Sequence, residues 1–215
     1  MPKALITTVP FGDKNRLPLD LLEKSNIEYL INPLNKKLTE DELAEMVTDF
    51  DVIIAGTEQI SEKVMNNATK LKHISRVGIG LDSVDLLAAE KKGIKVSYTP
   101  DAPAPAVAEL TIGMMLTLLR SMHVSNSQMH HGEWYRFFGR RLSNVTIGII
   151  GVGRIGIDVI KHLQGFSSPN ILANDISAIP QELNLPIQWA DKEQILKEAD
   201  IVTLHLPLTG LTKDS

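Results

Sequence analysis

Short apolar segments rich in β-branched residues alternate with amphipathic segments along this chain, and this alternation constrains the fold more than any other feature. Residues 3–9, 51–55 and 146–150 are apolar segments of strand length, and residues 154–163 have the spacing of an amphipathic helix. Strands that alternate with helices pair in parallel, because each connecting helix crosses over one face of the sheet. The sequence therefore predicts an α/β protein built on doubly wound parallel sheets.

A proline-rich segment separates two such series. The three prolines between residues 100 and 105 stiffen the chain and remove backbone donors, which suits a domain boundary. Residues 1–99 contain five segments of strand character and predict a complete domain. Residues 100–215 begin with a helix that we expect to run over about residues 106–131, and a second strand–helix series follows. We expect two doubly wound domains.

Three helix ends in the first domain can be predicted from single residues. Thr39 and Glu42 have the spacing of a capping box, in which each side chain accepts the backbone N–H of the other residue. Ser61 can cap the helix that follows it. Gly93 is expected to end the helix before it, because glycine adopts the left-handed conformation of a helix terminus without strain.

Composition excludes several kinds of protein and site. The formal net charge is −4 with acids and bases interspersed, so we expect no nucleic-acid-binding surface. The chain has no cysteine, and the adjacent His130 and His131 would point in different directions, so we expect no metal site. The longest apolar run, residues 110–119, is interrupted and too short to span a membrane, and the amino terminus lacks the features of a signal peptide. We therefore expect a soluble cytoplasmic protein.

The segment Gly151-Val-Gly-Arg-Ile-Gly156 has the glycine spacing of a dinucleotide-binding turn. It follows an apolar strand and opens a helix, and Asp175 ends the next strand 24 residues after the first glycine (175 − 151). Gly151 would permit the tight turn, Gly153 the close approach of a pyrophosphate, and Gly156 the packing of the helix on the sheet. Asp175 can bind the adenosine ribose hydroxyls and would repel a 2′-phosphate, which favours NAD over NADP. The alternative is a tight turn without a ligand.

Five further segments, in order and spacing, resemble the D-2-hydroxyacid dehydrogenases, especially their phosphoglycerate dehydrogenase-like branch. They are residues 76–85, residues 99–100 with 107–110, residues 132–134, residues 142–148 and residues 205–209. The resemblance implies a flavodoxin-like substrate domain over residues 1–99 and a truncated NAD-binding Rossmann domain over residues 100–215. It also implies a homodimer that binds a small 2-hydroxy or 2-oxo acid.

The resemblance assigns candidate site residues. The backbone amides of Gly78, Ile79 and Gly80 would bind the substrate carboxylate, with a simple tight turn as the alternative. Arg136 would help to bind a substrate phosphate, or it is an ordinary solvated arginine. The residues expected to hold NAD are Gly151, Gly153, Arg154, Ile155, Gly156, Asp175, His205, Leu206, Pro207 and Thr209. Within this last group the resemblance gives His205 a cofactor-side role rather than one in proton transfer.

The reaction of the family needs residues that this chain is not expected to contain. A histidine paired with a glutamate moves the proton, and an arginine binds the substrate carboxylate. In the family they follow the segment that matches residues 205–209, and no histidine or arginine of this chain matches them. The resemblance implies an NAD-dependent oxidoreductase that acts on a D-2-hydroxy acid, with no catalytic residue in this chain and incomplete activity of the chain alone. A non-catalytic NAD(H)-binding or sensing module of the same family is the alternative.

Two further points concern the ligands. Many phosphoglycerate dehydrogenases carry an arginine just after the third strand, where this chain has Ala55-Gly-Thr-Glu58. This difference puts 3-phosphoglycerate itself in doubt without changing the reaction class. A Rossmann protein that binds S-adenosylmethionine is a weaker alternative, because the glycine spacing and the paired domain argue against it.

Overall fold

The computed structural model describes residues 1–167, 169–177, 186–210 and 212–213. The chain divides into two compact units, unit 1 (Met1–Ala102) and unit 2 (Pro103–Ser215). Unit 1 contains a five-stranded sheet and unit 2 a four-stranded sheet, and all the strand pairs are parallel. The prediction of an α/β protein with two parallel sheets is confirmed.

Unit 1 alternates strands and helices throughout. Its elements are β1 (Lys3–Ile6), α1 (Leu17–Lys24), β2 (Glu28–Ile31), α2 (Glu40–Met46), β3 (Val52–Ala55), α3 (Glu62–Asn67), β4 (His73–Arg76), α4 (Leu86–Lys91) and β5 (Lys95–Tyr98). The strand order is β2-β1-β3-β4-β5. The sequence order of the strands reverses between β1 and β3. On one side of this point the chain adds β2 next to β1, and on the other side it adds β4 and β5 beyond β3.

The core of unit 1 forms where the central strands meet the helices. Leu5, Ile53 and Ile74 are cross-strand neighbours on β1, β3 and β4, and all are fully buried. Leu43 of α2 and Val64 of α3 belong to the same buried cluster. Strands that are buried on both faces favour continuous apolar runs, which explains the residues of β1 and β3.

Two of the three predicted helix ends in unit 1 are confirmed. Thr39 and Glu42 form the complete capping box at the start of α2. Gly93 has φ +68° directly after the end of α4. The prediction for Ser61 is wrong, since its side chain does not cap α3. The hydroxyl of Ser61 instead donates a hydrogen bond to the carboxylate of Glu40, which leaves it turned away from the helix amides.

Unit 2 begins with two helices and then builds its sheet. Its elements are α5 (Ala104–Leu119), α6 (Met122–His130), β6 (Thr146–Ile150), α7 (Arg154–Gln164), β7 (Asn170–Asn174), β8 (Gln188–Trp189), α8 (Lys192–Glu198) and β9 (Ile201–Leu204). The strand order is β8-β7-β6-β9. Ala108 and Met115 of α5 pack with Ile147 of β6 and Val159 of α7 in one buried cluster.

The expected unbroken helix over residues 106–131 is wrong, because the chain bends between α5 and α6. Ser121 has φ +50°, a left-handed conformation that ends α5 and begins α6. The carbonyl of Leu119 accepts the amide of Arg140 at 3.1 Å, so the returning chain satisfies this helix end. Among the described residues no single helix is long and apolar enough to cross a membrane; only α5 and α6 together meet that test, and they are bent by 67°.

Replacing Ser121 with glycine is expected to stabilise unit 2 by about 1 kcal/mol. A left-handed conformation costs a residue with a side chain about 1–2 kcal/mol and costs glycine little. The free energy of unfolding from urea denaturation measures the change. Ser127→Gly is the matched control, because Ser127 lies inside α6, where glycine is expected to destabilise. Equal effects of the two substitutions would contradict the assignment of strain to Ser121.

Candidate functional site

The turn between β6 and α7 has the conformation that the glycine pattern predicts. Gly151 has φ +95°, a region in which side chains are strained. Its amide donates to the carbonyl of Asn174 at the end of β7, 2.8 Å away. Gly153 is the residue before the first turn of α7, and its carbonyl accepts the amide of Ile157 at 2.9 Å. The turn is therefore fixed between two parallel strands and the first turn of the helix.

The three glycines of this turn differ in their surroundings. A Cβ on Gly151 would lie 2.5 Å from the carbonyl oxygen of His205, and a Cβ on Gly156 would overlap the carbonyl oxygen of Gly151. Both contacts are with backbone, so neither neighbour can move aside easily. A Cβ on Gly153 would meet no heavy atom of the protein within 4 Å. The first and third glycines are thus required by packing, whereas the second faces open space that a ligand can occupy.

The start of α7 favours an anion. This helix has 11 residues, its N-cap residue Gly153 has no side chain to cap the first amides, and its first turn contains no acidic residue. The backbone N–H groups and the helix dipole at such an end attract negative charge, as in phosphate sites. Arg154 is exposed and Ile155 is half-buried at this end of the helix. The donor set therefore fits the pyrophosphate of a dinucleotide.

Asp175 holds the same turn from the neighbouring strand. Its Oδ2 accepts the amide of Val152 at 2.7 Å, and its Oδ1 accepts the amide of Ser177 at 2.8 Å. The carboxylate is half-buried, while Ile176 beside it is fully exposed. A carboxylate oxygen can accept more than one hydrogen bond, so both oxygens keep capacity for a ligand hydroxyl. The structure thus fixes the position of Asp175 relative to the glycine turn.

His205 lies directly beside the glycine turn. Its amide donates to the carbonyl of Ile150 at 2.8 Å, and its carbonyl packs against Gly151. Its Nε2 is 3.1 Å from Oγ1 of Thr203. Burial lowers the pKa of His205, because the charged imidazolium is poorly solvated there. The imidazole is therefore neutral at neutral pH.

The residues after His205 continue along the turn. Leu206 packs against Gly151, so the glycine turn and the segment after β9 are in contact. The carbonyl of Pro207 and the amide of Thr209 both bind the hydroxyl of Thr212, at 2.5 Å and 2.8 Å. The structure thus brings His205 and Leu206 against the first glycine, while Pro207 and Thr209 form an exposed turn beyond them.

The predicted carboxylate-binding loop lies in unit 1, after β4. Gly78 has φ +147°, and its amide donates to Oγ1 of Thr99 at 2.8 Å. The amides of Ile79 and Gly80 donate to no other residue that the structure describes. The carboxylate of Asp82 lies next to Gly80, where a Cβ would be 2.5 Å from its Oδ1. The amides of Ile79 and Gly80 are therefore the ones left for an anion, and Gly78 anchors the loop.

The remaining candidates are less constrained. Arg136 is exposed and lies in unit 2, so it is not in the same unit as the glycine loop. Nδ1 of His130 and Nδ1 of His131 each lie 2.8 Å from the carbonyl oxygen four residues earlier in α6. Within the described ranges no group of three metal-binding side chains occurs.

Sequence reasoning missed four residues that the structure places at the edge of the sheet of unit 1. Thr99 anchors Gly78, Thr7 binds Glu58 at 2.9 Å, and the guanidinium of Arg76 lies against Gly78. Thr7, Glu58 and Arg76 are all buried. A usable signal existed, since each of these side chains comes at or shortly after the carboxyl end of a predicted parallel strand, where ligands bind.

An ion pair closes the segment between α6 and β6. Arg140 Nη1 donates to Asp200 Oδ1 at 2.5 Å and Nη2 donates to Asp200 Oδ2 at 3.2 Å, while the amide of Thr146 donates to the same carboxylate at 2.8 Å. The hydrogen bond from Arg140, and then that from Thr146, lower the pKa of the Asp200 carboxyl. The pair therefore ties the segment after α6 to the starts of β6 and β9.

Unit 2 is expected to lose stability as the pH falls below about 4. A lowered pKa in the folded state means that Asp200 stabilises the fold above its unfolded pKa of about 3.9, and that this contribution disappears as acid protonates the carboxylate. Asp200→Asn is expected to flatten the acid limb of the curve of melting temperature against pH. Asp158→Asn is the control, because the one ion pair of Asp158 with a described residue is a long contact to Lys161 at 3.4 Å. An unchanged acid limb in Asp200→Asn would contradict the assignment.

Comparison with known proteins identifies relatives that match most of the chain. Residues 13–214 match the family model for the D-isomer specific 2-hydroxyacid dehydrogenase, catalytic domain. The chain is 40% identical over 183 residues to a D-3-phosphoglycerate dehydrogenase of Methanocaldococcus jannaschii, a match that covers 82% of this chain and 34% of that protein. It is 36% identical over 202 residues to a hydroxypyruvate reductase of Thermotoga maritima, which covers 90% of this chain and 65% of that one. The chain thus spans from about one third to two thirds of the length of these relatives.

Solved structures have the same fold. The TT0316 protein of Thermus thermophilus superimposes with a TM-score of 0.84 at 32% identity, covering 98% of this chain and 66% of that one. The 3-phosphoglycerate dehydrogenase of Entamoeba histolytica, solved with NAD⁺ bound, superimposes with a TM-score of 0.80 at 28% identity, covering 98% and 64%. The match of the α/β fold therefore extends over nearly all of this chain.

Proposed function

The chain belongs to the D-isomer specific 2-hydroxyacid dehydrogenase family, and from this premise we propose that it forms the cofactor-binding and substrate-carboxylate-binding part of an NAD-dependent oxidoreductase. The reaction is hydride transfer between the CH–OH group of a D-2-hydroxy acid and NAD. The observation that carries the proposal is the turn over residues 151–156, in which two glycines are packed against backbone and Gly153 alone faces open space.

Each unit has a separate role in this proposal. Unit 1 is the substrate domain, and its strand order is that of flavodoxin-like sheets. Unit 2 is the NAD-binding domain of Rossmann type, and its four described strands have the order of the first part of such a sheet. The domain boundary follows residue 99, within a few residues of the division between the two compact units.

Bound NAD supplies the hydride acceptor, and the residues of unit 2 position it. The amides at the start of α7 would hold the pyrophosphate, together with Gly153, Arg154 and Ile155. Asp175 accepts hydrogen bonds from the ribose hydroxyls and excludes a 2′-phosphate by charge repulsion. His205, Leu206, Pro207 and Thr209 would line the nicotinamide side.

Proton transfer is not assigned to a residue of this chain. His205 binds Thr203, and His73 binds Ser97 at 2.8 Å, whereas His130 and His131 bind backbone carbonyls. In the described part of the chain no histidine forms an ion pair with a carboxylate. This observation favours the second candidate function for the chain alone, which is an NAD(H)-binding module without catalysis.

The substrate is a small 2-hydroxy or 2-oxo acid whose carboxylate binds the amides of Ile79 and Gly80. The resemblance to phosphoglycerate dehydrogenases makes acids that resemble 3-phosphoglycerate one candidate within this class, with Arg136 as the contact for their phosphate. Acids without a phosphate are the other candidate.

We also propose a homodimer. An exposed apolar row on α5, formed by Leu110, Met114 and Leu118, supports it, since such rows mark interaction surfaces. A single monomeric species in sedimentation equilibrium at micromolar concentration would contradict the dimer.

A fusion protein tests the reaction class. The chain is joined to the carboxyl-terminal third of the hydroxypyruvate reductase of Thermotoga maritima, a protein of which the match covers 65%. We expect the fusion, and not the chain alone, to transfer deuterium from C4-deuterated NADH to C2 of a D-configured hydroxy acid. A folded fusion that binds NADH but transfers no deuterium would contradict the oxidoreductase and support the NAD(H)-binding module.

A further inference from the structure

Two buried charged side chains in unit 1 lack the partners that buried charges normally have. Glu58 is 3% exposed and Arg76 is 8% exposed. Arg76 ends β4 opposite Ala55, the last residue of β3, and Glu58 follows three residues after Ala55. Charged residues are seldom buried without an ion pair or a full set of hydrogen bonds, because removal from water is costly. The hydrogen-bond acceptors and donors that these two side chains leave unused therefore indicate which groups a ligand could supply.

The carboxylate of Glu58 has a single hydrogen-bond donor among the described residues. Thr7 Oγ1 donates to Glu58 Oε2 at 2.9 Å. The carboxylate folds back over its own loop, so that a Cβ on Gly56 would be 2.9 Å from Oε1 and 3.0 Å from Oε2. No cation in the described ranges forms an ion pair with it. A carboxylate can accept about four hydrogen bonds, so most of the acceptor capacity of Glu58 is unused.

The guanidinium of Arg76 has hydrogen-bond donors without acceptors. One terminal nitrogen donates to the carbonyl of Val77, and Nε is buried without a hydrogen-bond partner in the described structure. The group lies beside Gly78, where a Cβ would be 2.5 Å from Nη1. Its positive charge adds to the partial positive charges of the loop amides of Ile79 and Gly80 and opposes the charge of the Asp82 carboxylate beside Gly80, so this part of the edge can accept an anionic group.

The pair of Thr7 and Glu58 occupies the position at which sheets of this type bind ligands. In an open α/β sheet, ligands bind beyond the carboxyl ends of the strands where the strand order reverses. In unit 1 the order reverses between β1 and β3. Thr7 follows β1 directly, and Glu58 lies three residues after β3. The carboxylate of Glu58 thus follows β3, and the neighbouring strand β4 is followed by the loop with the amides of Ile79 and Gly80.

We propose that Glu58, held by Thr7, determines the substrate by binding an uncharged hydroxyl group at the far end of a small 2-oxo or 2-hydroxy acid. The inference rests on the proposed function and names the substrate class of the same site. Arg76 and the loop amides favour the carboxylate of the acid, and the free acceptor capacity of Glu58 favours a hydroxyl donor. A phosphate ester would bring a charge of about −1.5 to −2 beside a buried carboxylate and is rejected. A methyl group would leave the acceptor unpaired.

Binding rather than turnover tests this selection, because the chain is not expected to complete the reaction alone. The ¹⁵N-labelled 215-residue chain is titrated with hydroxypyruvate, pyruvate and phosphohydroxypyruvate, and Kd is taken from shifts of the unit 1 amides. We expect hydroxypyruvate to bind about tenfold more tightly than pyruvate, the effect of one hydrogen bond to a charged group, and phosphohydroxypyruvate to bind more weakly than both.

The substitution Glu58→Gln separates selection from a structural role. It removes the charge at constant size, and we expect the preference for hydroxypyruvate over phosphohydroxypyruvate to fall at least about tenfold. Glu62→Gln, an exposed position on α3, is the matched control and leaves the preference unchanged. If Glu58 had only a structural role, Glu58→Gln would weaken the binding of all three acids equally. That result would overturn this inference and leave the proposed function standing. Equal binding of all three acids by the original chain would have the same consequence. Failure of all three acids to bind would contradict the proposed function as well.

Discussion

Replacing Gly156 with alanine is expected to abolish NADH binding and to destabilise unit 2 by about 1–3 kcal/mol, the usual cost of an extra group in a packed site. The new Cβ would overlap the carbonyl oxygen of Gly151, which belongs to the backbone of the turn. Either the turn opens or α7 moves away from the sheet, and both changes displace the amides that face the pyrophosphate. Calorimetric titration with NADH measures the loss, and circular dichroism shows whether the protein is folded.

Gly165→Ala is the matched control for this prediction. Gly165 lies at the other end of α7 with φ −66°, and a Cβ there would be 3.4 Å from the carbonyl oxygen of His162. The substitution is chemically identical on the same helix, and it is expected to leave NADH binding unchanged. Unaltered NADH affinity in a folded Gly156→Ala protein would show that the turn does not form the cofactor site.

Replacing Asp175 with alanine is expected to weaken NADH binding by about 10- to 100-fold, the effect of losing a charge-assisted hydrogen bond to ribose hydroxyls. NADPH is expected to bind this variant at least as well as it binds the original protein, because the repulsion of the 2′-phosphate is removed. The ratio of the two affinities is the decisive quantity. Asp175 also accepts the amides of Val152 and Ser177, so a purely structural loss would weaken both cofactors equally.

Asp158→Ala controls for the loss of a carboxylate from unit 2. Asp158 lies on α7 and contacts Lys161 at 3.4 Å. It is expected to leave both affinities and their ratio unchanged. If Asp175→Ala lowered the affinity for NADPH as much as that for NADH, the role of Asp175 in choosing between the cofactors would be wrong.

The alternation of strands and helices was sufficient to predict the fold, because it reflects how parallel sheets are covered. Each apolar run that becomes β1, β3 or β6 is buried between helices, and the crossover rule then leaves few arrangements. The capping box at Thr39 is equally local, since both of its hydrogen bonds are formed within four residues.

Features that depend on contacts between distant segments could not be predicted in this way. The residues around Ser121 have ordinary helical character, and the amide that binds the carbonyl of Leu119 at the end of α5 belongs to Arg140, 21 residues further along the chain (140 − 119). The side chain of Ser61 is taken by Glu40, which is 21 residues away in sequence. Neither partner can be identified from local spacing.

The candidate site divides in the same manner. The spacing of Gly151, Gly153 and Gly156 was sufficient to predict the turn between β6 and α7. That these residues bind NAD stays a prediction. The pairing of Thr7 with Glu58 joins residues 51 positions apart. The unpaired Nε of Arg76 depends on how the loop after β4 packs against the guanidinium. Such buried polar contacts become visible only once the strands are placed in order.

Calorimetric titration of the 215-residue protein with NADH tests the central claim most directly. We predict saturable binding with a stoichiometry of about one cofactor per chain, because the turn, the start of α7 and Asp175 are already in position without a ligand. No binding by a protein that circular dichroism shows to be folded would contradict the assignment of this turn as an NAD site.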